Sequence, residues 1–327
     1  MDKRVFGADL LLLLTAAVWG FGFVAQRSGM QYVGPFTFNA IRFPLGSLSL
    51  LPLIAWRSRL KPQQKGDGGS LLLSSFIAGT CLFIAVAFQQ LGIMFTTAGN
   101  AGFITGLYVI FTPIFGIFLG RSTGKATWIG AILTFTGLYF LSSSGPLKDI
   151  NVGDIIIAVS AVFWAFHVLV IDRLVQKTDP IALSSGQFAF TGLYALIAAF
   201  LAEPFLSSWL LSTSSSGLVG WKSFPALISG ISSGEIPFAL VSGAVIPILY
   251  GAFGSAGIGY TLQVVAQQYA PPAHATIILC LEGFFAAIGG IMLLHEPAGI
   301  RTIIGFVFML CGMLVSQWEL LRSTSST

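Results

Sequence analysis

Charge is what this chain has least of. Asp, Glu, Lys and Arg together account for 9% of its 327 residues, against 55% hydrophobic ones. A soluble globule of that length needs far more polar surface, so a mean hydropathy of +0.87 excludes that class and leaves a protein solvated by lipid. Cysteine is scarce too. Cys81, Cys280 and Cys311 are odd in number, sit inside apolar runs and lack metal-ligand spacing, which excludes a disulfide framework and a zinc centre. The pI near 9.1 would suit nucleic acid only if the basic residues shared one face of a soluble domain. They fall in short loops instead, so nucleic acid is not an expected partner.

What the chain has in abundance is long apolar runs. A helix needs about 20 mainly apolar residues to cross the hydrocarbon core, and ten stretches qualify: 7–26, 34–56, 71–93, 97–119, 125–143, 153–171, 181–203, 240–267, 272–294 and 299–318. The expected fold class is an all-α polytopic membrane protein with ten transmembrane helices, and the lipid bilayer is its first partner. The first stretch has signal-peptide length but no small-residue cleavage site before a soluble region, so it is expected to stay attached. Lys3, Arg4, Arg57, Arg59, Lys61, Lys65, Arg121, Lys125, Arg173, Lys177 and Arg322 lie on the amino-terminal side; Arg27, Lys148, Lys222 and Arg301 lie opposite. The positive-inside rule then predicts cytoplasmic termini in an inner or plasma membrane.

Residues 7–53 and 152–198 read as imperfect copies. Asp9, Trp19, Phe21, Pro35 and Phe43 meet Asp154, Trp164, Phe166, Pro180 and Phe188 at a constant offset of 145 residues. Farther on, Gly79, Ala98, Leu119, Gly130 and Gly137 meet Gly254, Ala273, Leu294, Gly305 and Gly312 at an offset of 175. Five spans per copy is an odd number, so the copies enter the bilayer from opposite sides. The expectation is two inverted five-helix repeats, 7–145 and 152–318, within a single transmembrane domain covering 1–327. The change of offset marks an insertion at 203–237, a Ser-rich external loop whose Trp209 and Trp221 suit the headgroup level. Inverted repeats around a midplane site are the geometry of alternating-access carriers; a small-molecule substrate follows.

Two charges fall well inside spans, Arg42 and Glu282, and an ionisable group at the bilayer centre costs at least about 2.5–3.5 kcal/mol unless paired or hydrated. Glu282 stands near the midplane, placed to bind an ammonium or exchange a proton; pairing with Arg42 or with backbone amides is the structural alternative. Arg42 lies nearer the end of its span, where it can snorkel to water or neutralise a substrate carboxylate. Asn39, Gln89, Gln90, Asn100, Thr105, Tyr108, Gln187, Tyr260, Gln263 and His274 put polar groups where lipid penalises them, which points them towards an interior cavity. Trp19 and Trp164 offer flat walls or gates, or plain packing. His167, one turn past Trp164, reads as a satisfied lone His ahead of a proton relay.

Other features read as structural. Asp9 and Asp154 suit helix capping. Pro113 and Pro247 each remove a backbone hydrogen bond inside a span, and Gly251, Gly254, Gly257 and Gly259 suit a hinge or close packing in span eight. Gly130 and Gly137, mirrored by Gly305 and Gly312, form a small-residue seam for helix packing or for a homodimer through helices five and ten. Enzyme motifs fail on context: Gly230–Gly234 has nucleophile-elbow spacing around Ser232 but no sheet, and Gly120–Lys125 is one residue short of a phosphate loop and ends on Ala126. No enzyme and no cofactor are expected.

The strings AAVWGFGFVA, FNAIRFPLGSLSLLPL, AGFITGLYVIFTPIFGIFLG and GYTLQVVAQQYAPPAHATIILCLEGFFAAIGGIMLLHEP resemble the EamA family of the drug/metabolite transporter superfamily, over nearly the whole chain. The resemblance implies ten helices in inverted repeats moving small organic solutes, often amino acids or related metabolites, outward without ATP, around a central cavity with spans five and ten peripheral. Trp19 and Trp164 match the family's Trp in the first helix of each repeat, Arg42 the Arg of its second helix, Glu282 the Glu before a usual Pro, and Glu296 the acidic end of span nine. Gly283 stands where Pro is usual and Arg121 where Glu is usual. The expected function is a secondary transporter exporting a metabolite by alternating access, with proton coupling through Glu282. Its candidate substrate-binding residues are Glu282, Tyr260, Gln263, Asn100, Tyr108, Trp19, Arg42 and Trp164. A multidrug-type exporter and a non-transporting membrane scaffold are the alternatives.

Overall fold

The computed structural model describes residues 3–60, 68–121, 123–141, 151–206, 208, 229, 238–294 and 299–324. In chain order the helices are α1 (Lys3–Gly29), α2 (Pro35–Leu60), α3 (Gly68–Ile93), α4 (Ala98–Thr105), α5 (Tyr108–Phe118), α6 (Lys125–Leu141), α7 (Val152–Leu174) and α8 (Pro180–Leu201). They continue as α9 (Phe238–Leu249), a π-helical segment (Tyr250–Tyr260), α10 (Thr261–Ala266), α11 (Pro272–Leu279), α12 (Leu281–Leu294) and α13 (Ile300–Thr324). Eight spans built from these are long and apolar enough to cross a membrane, running from Arg4–Gly29 to Pro272–Leu293. The α6 helix has 17 residues, and the apolar part of α13, Ile303–Ser316, is also shorter than the eight. The chain is a multi-pass membrane protein whose exterior carries Leu48, Leu72, Phe118, Ile246 and Met292 side chains, as lipid requires.

Local chemistry explains where the helices start. Asp179 caps α8 by accepting from Ile181 N at 3.0 Å and Ala182 N at 2.9 Å, and Pro180 supplies a first residue that lacks the orphan amide. Asn151 and Asp154 close a reciprocal capping box on α7, so Asp154 does cap. Asp9 does not: it lies a full turn and more inside α1, buried, with its carboxylate 2.9 Å from His274 Nε2.

Two spans are broken halfway. Between α4 and α5 the backbone tightens at Gly106 and Leu107, where Leu107 N bonds Ile104 O at 3.1 Å and Val109 N bonds Gly106 O at 3.0 Å. The break therefore precedes Pro113, which stays inside α5. Between α11 and α12 the interruption falls at Cys280, with Gly283 N bonding Cys280 O at 3.0 Å. Cys280 Sγ in turn donates to Gly106 O at 3.3 Å, so the two interruptions touch. In the eighth apolar stretch, Pro247 lies three residues before the start of eleven residues of π-helix. A π run of that length is rare, and such segments cluster at functional sites.

The α1 helix packs on α12 and the π segment, α2 on α8 and the π segment, α3 on α7 and α8, and α6 on α13. That last contact takes up the glycine seam. A Cβ at Gly130 would meet Gly312 O at 2.7 Å and one at Gly137 would meet Gly305 O at 2.6 Å, so the glycine seam is closed within the chain by its own mirror image and is not free for a second copy. The 203–237 insertion is described only at 203–206, 208 and 229; Trp209, Trp221, Ser232 and also Glu296 lie outside the described residues.

Candidate functional site

The breaks and the π segment surround one buried cavity. It is lined by Trp19, Phe23 and Gln26 from α1, Gln89 from α3, Thr105 and Tyr108 at the first break, and Trp164 and Val168 from α7. Ser255 and Tyr260 of the π segment, Gln263 of α10, Leu279 of α11 and Glu282 of α12 complete it. The space open to water-sized molecules is about 20 Å³, room for roughly one water.

Aromatic rings make its middle. Tyr260 lies 4.6 Å from Trp19 and 5.9 Å from Trp164, nearly parallel to the latter at 16°, and the two indoles are 6.0 Å apart. Phe43 and Phe188 flank Tyr260 at 6.0 and 5.9 Å. The Trp19 indole is held by a 3.3 Å bond from Nε1 to Ser255 O, a carbonyl of the π segment. Such a wall is flat, polarisable and fixed at one edge.

Glu282 is 3% exposed and sits in the first turn of α12, where the free amides of a half-helix favour an anion. Gly20 brings α1 against it; a Cβ there would meet Glu282 O at 2.7 Å. The Tyr108 hydroxyl stands beside the carboxylate. Even so, Glu282 Oε1 is buried without a hydrogen-bond partner, as are Trp164 Nε1 and one amide atom each of Gln26 and Gln263. Neighbouring groups are better served: Gln89 Nε2 donates to Thr105 Oγ1 at 3.2 Å and Gln263 Nε2 to Gln267 Oε1 at 2.9 Å. Buried polar atoms are nearly always paired, so a cluster of unpaired ones converging on a cavity is a place for a polar ligand.

Six of the eight candidate substrate-binding residues meet here, Glu282, Tyr260, Gln263, Tyr108, Trp19 and Trp164, together with Gln89 and Thr105. Two do not. Arg42 does not snorkel; it is 1% exposed, its guanidinium lies 5.3 and 4.7 Å from the Phe38 and Phe43 ring centres, and its Nε donates to Asn39 Oδ1 at 2.9 Å. Asn100 sits in the first turn of α4, where its amide bonds the Thr97 cap at 3.1 Å. His167 is held at 2.9 Å by Gln187 and lies outside the lining. Gln26 and Ser255 were not singled out. Gln26 stands two turns beyond Trp19, a spacing that was available, whereas Ser255 faces the cavity only because of the π winding.

Polar contacts outside the lining tie the spans to one another. The Arg27 guanidinium bonds Thr96 O and Thr96 Oγ1 donates to Asp154 Oδ1 at 2.7 Å. Glu203 is buried just past α8 and accepts from Phe36 N and Thr37 N at 3.0 Å each, and from the Thr37 hydroxyl. His274 bridges Asp9 and Ser316, at 2.9 and 3.0 Å, and Arg121 pairs with Asp172.

A polar pocket enclosed by spans from the two halves of a multi-pass protein is the construction of a membrane transporter. The model of the EamA-like transporter family matches residues 6–143 and 151–317; the chain belongs to that family. An uncharacterized transporter of Archaeoglobus fulgidus is 28% identical over 317 residues, covering 96% of this chain and 87% of that one. The uncharacterized transporter YvbV of Bacillus subtilis is 27% identical over 237 residues, covering 69% and 75%. A protein of known crystal structure shares the fold at a TM-score of 0.71 with 15% identity, covering 96% of this chain and 98% of its own.

Proposed function

We propose that the protein is a secondary transporter that moves a small organic metabolite, an amino acid or related solute, outward by alternating access. The observation that carries this is the group of unpaired buried polar atoms around Glu282 and the Trp19–Trp164–Tyr260 wall, lined from both halves of the chain. Glu282 is the principal binding group, with Tyr108, Gln263 and Gln26 completing the polar contacts. Proton exchange at Glu282 couples the cycle, and both termini face the cytoplasm.

The architecture in this reading is ten helices in two inverted repeats, 7–145 and 152–318. Three observations support it. The family model matches each half in turn. At the 175-residue offset the break at Gly106–Leu107 falls within two residues of the break at Cys280. Exchanging each span for its counterpart also carries the packing onto itself, since α1 on α12 answers α7 on α4 and α5, and α3 on α8 answers the π segment on α2.

The test is labelling on both sides of the ring wall. In a variant with Cys81, Cys280 and Cys311 replaced by Ala, single cysteines at Gln26 and Gln263 react with a membrane-impermeant maleimide from opposite faces, and added solute shifts the two in opposite directions. Labelling of both from one face, unchanged by solute, would overturn alternating access. For coupling, solute flux in proteoliposomes loses its response to an imposed pH gradient in Glu282→Gln; a retained response removes the proton.

A further inference from the structure

We propose that the solute is an organic cation, an amine or ammonium without a free carboxylate, and not a zwitterion. This rests on the carrier reading above and narrows it. Of the described side chains that line the cavity, Glu282 alone is of a charged type; Gln26, Gln89, Thr105, Ser255 and Gln263 are neutral. A zwitterion would bring its own carboxylate into this space with no cation to receive it, and an unpaired buried charge is strongly disfavoured. The nearest candidate base is not part of the wall: Arg42 is absent from the lining, its guanidinium faces Phe38 and Phe43 and its Nε is bonded to Asn39, with Nη2 buried without a partner behind those rings. His167 is bonded to Gln187 and stands behind Trp164 and Tyr260, outside the lining.

The rings select in the same direction, independently of the carboxylate. An aromatic face attracts an ammonium and repels a carboxylate, Trp most strongly. Here two indoles and a phenol converge within 4.6–6.0 Å of one another on the same cavity. The unpaired Oε1 of Glu282 accepts the ammonium protons or faces a quaternary head, while the unpaired amide atoms of Gln26 and Gln263 serve neutral polar groups farther along the solute.

The experiment uses matched triplets: tyramine, tyrosine and desaminotyrosine; tryptamine, tryptophan and indolepropionate; isoamylamine, leucine and isocaproate. Binding to the purified full chain is read by thermal shift, and movement by flux in proteoliposomes. The expected result is that at least one amine binds about tenfold or more tightly than its zwitterion and that its des-amino acid does not bind. In Glu282→Gln the preference disappears, and in Glu282→Asp it is partly restored. A zwitterion that binds as tightly as its amine, or the failure of every amine to bind, overturns the proposal; these wild-type readings stand even if a variant does not fold. Amines that bind but are not moved would remove the carrier reading and keep the cation site. Zwitterions moved as fast as their amines would remove the cation site and keep the carrier.

Discussion

Glu203 and Glu282 are both buried carboxylates, at 0% and 3% exposure, and they differ in what answers them. Glu203 takes two backbone amides and a hydroxyl at the start of α2, so its charge is spread over donors that have no other partner in the helix. Glu282 has the amide end of a half-helix behind it and an oxygen left over in front. The first is a rivet and the second a receptor. Burial alone does not separate the two roles; completeness of hydrogen bonding does.

The largest effect comes from removing the receptor. Glu282→Gln should lower affinity for a transported amine by about 3 kcal/mol, with the melting temperature of the purified protein held within a few degrees. Glu203→Ala should invert that pattern. Two orphaned amides and a lost charge-assisted bond destabilise the fold by about 3 kcal/mol, seen as a lower melting temperature, while flux per folded molecule is unchanged. If Glu203→Ala instead spares stability and abolishes flux, the contrast between the two acids is void. A smaller loss, about 1–3 kcal/mol, is expected for Gly137→Leu, whose side chain would strike Gly305 O across the α6–α13 seam; thermal unfolding reads it. Smallest is Trp164→Phe, which keeps a ring face over the cavity and should weaken amine binding by about 0.5–1 kcal/mol, read by titration.

Much of this was legible in the residues. The apolar runs place eight of the ten expected spans, and the 145-residue offset pairs Trp19 with Trp164 and Phe43 with Phe188, four rings that surround Tyr260. Glu282 stood out as a charge where lipid forbids one. Arg42 stood out by the same rule but lies outside the lining and does not snorkel, because a guanidinium can be covered by Phe38 and Phe43 faces as well as by water. Position along a span does not tell those apart. Asp9 looked like a cap because it lies near a chain end; its partner His274 is 265 residues away, and no local pattern announces such a contact. The seam of Gly130, Gly137, Gly305 and Gly312 was visible, but which seam meets which is a tertiary fact. Ser255 was hidden for a different reason: a reading at 3.6 residues per turn assigns faces wrongly wherever the winding is wider.

That wider winding has a bearing on how the family can vary. In an α-helix such as α3, one added residue turns everything beyond it by about 100°, which would carry the inward side of the span out to the acyl chains. Tyr250–Tyr260 already houses more residues per turn than an α-helix does, so this stretch has a spare slot. A residue can be gained or dropped inside it by tightening or loosening the coil locally, with Pro247 and Gln263 staying where they are. Tyr260 and Ser255 can thus be re-aimed at a different solute while the framework of the other spans is left untouched.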